Sequence, residues 1–102
     1  MKAVINGRKY DTETAEMVGS WSNNLGRGDW HWCNEELYRK KTGEFFLYGE
    51  GGGLSPHRTW LTHNSFREGE RIVPMTEDEA KAWVEKNLSY WDYANLFGEP
   101  EE

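Results

Sequence analysis

The sequence predicts an α+β fold: a small antiparallel β-sheet of hairpins followed by one or two C-terminal helices. Three observations carry that expectation. Asn6-Gly7 follows the β-branched pair Val4-Ile5 near the start, the pattern of a tight hairpin turn. Two aromatic arms, Glu36-Leu37-Tyr38-Arg39 and Glu44-Phe45-Phe46-Leu47-Tyr48, flank a short connection ending in Gly43. Thr76 stands three residues before Glu79 at the head of an amphipathic run, which is the signature of a capping box.

Taken in order, Val4 to Tyr10 reads as the first hairpin, with Asn6 and Gly7 supplying the two left-handed residues of a type I′ turn. Ala15 to Trp21 follows as a strand weakened by Gly19, and Ser22 to Asp29, rich in Asn and Gly, as a loop. Trp30-His31-Trp32-Cys33 alternates large rings with polar residues, which leaves open a short strand or the wall of a pocket. The aromatic hairpin comes next, with Lys40-Lys41-Thr42-Gly43 as its connection. Gly49-Glu50-Gly51-Gly52-Gly53 then releases the chain into an irregular segment, and Arg71-Ile72-Val73 forms a last strand ended by Pro74. In the following helix Ala80, Trp83, Val84 and Leu88 recur on one face, and Met75 is placed to staple onto Ala80. Ser89 caps a second helix in which Tyr90, Tyr93, Ala94 and Phe97 share a face, with Gly98 just past its end. Residues 1–98 are expected to form one domain and residues 99–102 an acidic tail.

With 102 residues there is room for one core. The apolar fraction is only 36%, but six Trp, five Tyr and four Phe compensate, because each large ring buries about 150–250 Å². Cys33 is the sole cysteine, which excludes an intrachain disulfide and a zinc site of several thiolates. That usage suits a reducing cytosol. No apolar stretch near Met1 is long enough for a signal peptide or a membrane span, so the expected location is cytoplasmic. The net charge of −6 is unevenly placed. Ten acids and ten bases cancel over residues 1–75, whereas residues 76–102 hold eight acids against Lys81 and Lys86. Such an end repels nucleic acid and attracts a basic protein surface.

Three stretches together resemble a known family. They are Ile5 to Ala15, then Lys41-Thr42-Gly43-Glu44-Phe45-Phe46-Leu47-Tyr48-Gly49-Glu50-Gly51-Gly52, then Ile72 to Trp83. The resemblance is to a family of small uncharacterised proteins of Gram-positive bacteria, their phages and other mobile elements, and it covers most of residues 3–88. The family carries no established activity to transfer to this chain. The resemblance implies a role in conflict with a host, as with the small acidic proteins that inhibit host defence nucleases, anti-CRISPR proteins among them. Leu54 to Phe66 departs from the family pattern, which makes it a natural partner-specific surface.

The candidate chemistry is thin. His31 and Cys33 alternate and His57 and His63 are six apart, and neither spacing matches a zinc motif. The glycine run carries Glu50 and lacks a Gly-Lys-Ser/Thr ending, so a flexible loop or bulge is expected rather than a phosphate cradle. Glu50, His57 and His63 form no recognisable catalytic motif. The expectation is therefore a chain that is not an enzyme, with no catalytic residue, metal ligand or cofactor. Trp21, Trp30, Trp32 and Trp60 fall in or beside loops, while Trp83 fits the core face. Indoles are favoured in interface hot spots. The leading expectation is a non-enzymatic protein-binding module in which Trp30, Trp32 and Trp60 anchor the contact. Glu77, Asp78, Glu85 and Asp92 then face a basic surface on a CRISPR effector or another nucleic-acid enzyme. The alternative is a nucleic-acid-binding accessory module using Arg39, Lys40 and Lys41 at the tip of the aromatic hairpin.

Overall fold

The computed structural model describes residues 1–102 and has antiparallel strands followed by two C-terminal helices. Strands β1 (Lys2–Ile5) and β2 (Arg8–Asp11) pair across Asn6 and Gly7, whose φ angles of 53° and 76° fit the type I′ turn. The central sheet contains β3 (Glu16–Ser22), β4 (Cys33–Arg39) and β5 (Phe45–Gly51). A separate hairpin, β6 (Thr59–Thr62) and β7 (Ser65–Arg67), precedes the sheet's last strand, β8 (Gly69–Met75). The order across the sheet is β3-β4-β5-β8, every neighbour antiparallel. Helices α1 (Glu77–Asn87) and α2 (Tyr90–Phe97) close the chain, each opened by a complete capping box, from Thr76 and from Ser89.

Alternation along the strands divides the core in two. On one face Leu37, Phe45 and Leu47 pack against Ala80, Trp83 and Val84 of α1, with Tyr93, Leu96 and Phe97 of α2 at the margin. On the other, Tyr38, Phe46 and Ile72 lie under the β1–β2 hairpin, which drops Tyr10 edge-on to Phe46 at 5.5 Å. The molecule is thus a hairpin, a sheet and a helical layer, in that order.

Four expectations are corrected. The glycine run does not release the chain, because Gly49 and Gly51 lie within β5 in register with both neighbours. The last strand is longer than Arg71–Val73 and runs through Pro74, tolerated because β8 is an edge strand. The segment expected to be irregular contains the β6–β7 hairpin. In α2 the packed face includes Leu96 in place of Tyr90, which is 51% exposed.

Candidate functional site

The cross-strand register sets Glu35, Gly49 and Arg71 side by side on the helix face of the sheet. Gly49 leaves a gap in that row, and the imidazole of His57 fills it. A methyl group at Gly49 would collide with the His57 ring, and one at Gly51 with Ser55. Residues 52–58 therefore plug the half of this face that the helices leave uncovered. Ser55 fastens the plug: its hydroxyl donates to the Gly52 carbonyl at 2.8 Å and accepts from the His57 amide at 3.2 Å.

His57 is 3% exposed and fully partnered. Arg71 Nε donates to its Nδ1 at 2.9 Å, which assigns the imidazole proton to Nε2. Nε2–H then donates to Glu35 Oε2 at 2.6 Å, while Trp83 Nε1 donates to Glu35 Oε1 at 3.0 Å. One carboxylate thus ties together β4, the plug and α1, with β8 joined through Arg71. The hydrogen bond from His57 holds the Glu35 carboxyl below its ordinary value of 4.5; partial burial opposes this and Trp83 assists it.

Cys33 Sγ, a Glu35 oxygen and a His57 nitrogen lie within 4.8 Å of one another. Neither metal ligation nor thiol catalysis suits this trio. A metal would need the Nε2 lone pair, where the proton sits, and the Arg71 donor blocks the proton's move to Nδ1. Burial, and then the Glu35 charge, push the Cys33 thiol up, away from the reactive thiolate. The relay is built as a structural tie.

Around the plug stand two exposed aromatic elements. The turn before β4 is held by Asp29, which accepts from the His31 amide at 2.8 Å, and by Asn23, which donates to the His31 carbonyl at 2.7 Å. It presents Trp30 at 69% exposure. The β6–β7 hairpin presents Trp60 at 55% and Leu61 at 59%. Trp60 stands edge-on to Phe66 at 5.1 Å, and the Arg58 guanidinium lies 4.9 Å from the first ring and 5.3 Å from the second. A cleft of about 390 Å³ is lined by the turn and the hairpin, with Trp30, Trp32, Phe66, Arg27 and Arg67 in its walls.

Not every expected anchor is available. Trp32 is 3% exposed, seated against side-chain-free Gly52 and covered by Arg27 at 4.6 Å, so it offers no indole face to a macromolecule. Nor do the indoles and the acidic residues form one patch. Glu77 and Asp78 follow the Met75 end of β8, whereas the hairpin bearing Trp60 leads into the Gly69 end. A strand of 7 residues sets those ends about 20 Å apart. Glu77 pairs with Lys81 at 3.7 Å, and Asp92 is committed to the Ser89 cap, accepting from its amide at 3.1 Å and its hydroxyl at 2.8 Å. Glu85 is exposed.

The basic-tipped hairpin offers little to nucleic acid. Arg39 pairs with Glu16 at 3.4 Å, and Lys40 pairs with Glu44 at 3.8 Å while lying over the Tyr10 ring. Only Lys41 projects without an ionic partner, and the rings of Tyr38, Phe45 and Phe46 are buried, so no stacking platform exists there.

Sequence reasoning missed Leu61, the relay and an exposed pair in α2, Trp91 at 72% and Tyr90 at 51%, packed edge-on at 5.2 Å. Trp91 was detectable, since it falls off the helical stripe of Tyr93, Ala94 and Phe97. The fold and this end of it define a small α+β domain bearing solvent-facing indoles. Comparison with protein-family models, curated proteins and solved structures finds no match.

Proposed function

We propose that the chain is a non-enzymatic protein-binding module that docks through Trp30, Trp60 and Leu61. The observation that carries this reading is the exposure of three large apolar side chains, Trp30 on a turn fastened by Asp29 and Asn23, and Trp60 and Leu61 on the β6–β7 hairpin. Indoles turn about only two side-chain torsions and lose little conformational freedom on docking, so more of their burial energy is kept as affinity. The net charge of −6, concentrated in α1, α2 and the residues after them, favours a partner with a basic surface. Glu77, Asp78 and Glu85 act as a second, outlying contact that speeds encounter, and the indoles decide residence time.

A basic partner of this kind is a nucleic-acid enzyme. Together with the family resemblance, this makes inhibition of a host defence nuclease, in the manner of an anti-CRISPR protein, the specific form of the proposal. The test is affinity capture from host lysate with a salt gradient, alongside gel-shift titration with bare DNA and RNA. A nucleic-acid enzyme should be retained and elute as salt rises. Tight binding of the isolated chain to bare nucleic acid at physiological salt would replace this reading with the accessory-module alternative.

A further inference from the structure

Trp30, Trp60 and Trp91 are the exposed indoles, and Trp91, at 72%, is the only one of them in the acidic helical end. Tyr93, Leu96 and Phe97 turn one side of α2 to the core. Trp91 and Tyr90 stand off that side with their rings edge-on at 5.2 Å. Neither ring serves the helix cap, which Ser89 and Asp92 complete between themselves. The charge along α2 has one sign. From Leu88 to Glu102 the chain carries Asp92, Glu99, Glu101 and Glu102 and no Lys, Arg or His. The helix has 8 residues, about 12 Å, so acids stand near both of its ends. Glu85, Glu99, Glu101 and Glu102 are exposed and enter no ion pair. The two bases of α1 are engaged elsewhere. Lys81 pairs with Glu77 at 3.7 Å and lies over Phe97, on the packed side of α2, and Lys86 is close enough to Glu35 to lower its carboxyl pKa. Open ring faces beside unpaired carboxylates suit one side chain in both respects: a guanidinium stacks on an indole and pairs with a carboxylate.

We infer that Tyr90 and Trp91 form a docking surface for an arginine-rich segment of a protein partner, its guanidinium groups on the rings and against the carboxylates of the helical end. Charge complementarity selects the occupant. A second copy would bring a net charge of −6 against another and set like carboxylates face to face. Anionic lipid and nucleic acid would be repelled by the same groups. A lysine-rich segment satisfies the carboxylates, but an ammonium is more strongly hydrated and gains less from a ring face. This surface has no residue in common with the dock of Trp30, Trp60 and Leu61, and shares with it only the expectation of a basic partner.

The experiment is calorimetric titration of the purified chain with oligoarginine, oligolysine and oligoglutamate peptides of equal length. Saturable binding of oligoarginine is expected, with oligolysine about threefold weaker and oligoglutamate silent. Trp91→Ser, at a position largely in solvent, should keep the parent's melting temperature. It should weaken oligoarginine at least about tenfold and oligolysine only about threefold, so that the preference for arginine disappears. The Trp30→Ser/Trp60→Ser/Leu61→Ser variant should bind oligoarginine as the parent does, so the two docking readings fail separately. The surface is overturned if oligoarginine gives no saturable heat at millimolar concentration, or if Trp91→Ser binds it as tightly as the parent. Self-association lost in Trp91→Ser would assign the pair to a second copy instead, and Trp91-dependent partition onto phosphatidylcholine vesicles would assign it to a membrane; either result overturns the proposal.

Discussion

An added methyl group at Gly49 has nowhere to go, because the His57 imidazole already occupies that space and is itself held at both nitrogens. Gly49→Ala should therefore destabilise the fold by about 1–3 kcal/mol, the usual range for overpacking, as measured by urea unfolding. The same clash should lift residues 52–58 and speed their amide hydrogen exchange. Glu35 governs the acid response of the same site. Its pKa is depressed in the folded state, so its contribution is complete above the unfolded value and fades as pH falls through the folded one. Glu35→Gln should lose about 1–3 kcal/mol at pH 7, and the gap between variant and parent should close as the pH is taken down below 4.5. A variant equally destabilised at pH 7 and in strong acid would contradict the assignment. None of this was legible residue by residue. His57 lies 22 positions from Glu35 and 14 from Arg71 along the chain, and only strand register brings them together. The single available signal was the alternation of Gly49 and Gly51, a period of two that marks a strand face something else must fill.

Local chemistry decided the elements that could be read in advance. The Asn6-Gly7 turn, the aromatic hairpin and both capping boxes form where neighbouring residues dictate them. Thr76→Ala should cost about 1 kcal/mol of stability by thermal or urea unfolding, since the hydroxyl accepts from the Glu79 amide at 3.1 Å and the variant loses that acceptor. The β6–β7 hairpin escaped because its local turn signals are weak. It has no Asn-Gly turn, its register shifts between Trp60 and Thr62, and its rings assemble around Arg58 from both strands. No local pattern discloses the burial of Trp32, which depends on the absence of a side chain at Gly52, distant in sequence.

At the scale of the whole molecule, charge and exposed apolar surface are laid out separately. The acidic excess belongs to the helical layer, while Trp30, Trp60 and Leu61 are exposed on the segments next to the end of the sheet where β4 begins. Composition disclosed both features, but the roughly 20 Å that part Glu77 from that end follow from topology. A partner engaging both must span at least that distance, with a basic surface facing the helical end. The central claim concerns the exposed anchors, and it is tested most directly by comparing partner retention between the parent chain and the Trp30→Ser/Trp60→Ser/Leu61→Ser variant. All three side chains lie largely in solvent, so circular dichroism and melting temperature should match the parent. The account predicts that the parent retains its partner and the triple variant loses at least about a hundredfold in affinity. Equal retention by the two proteins, with the fold intact, would contradict it.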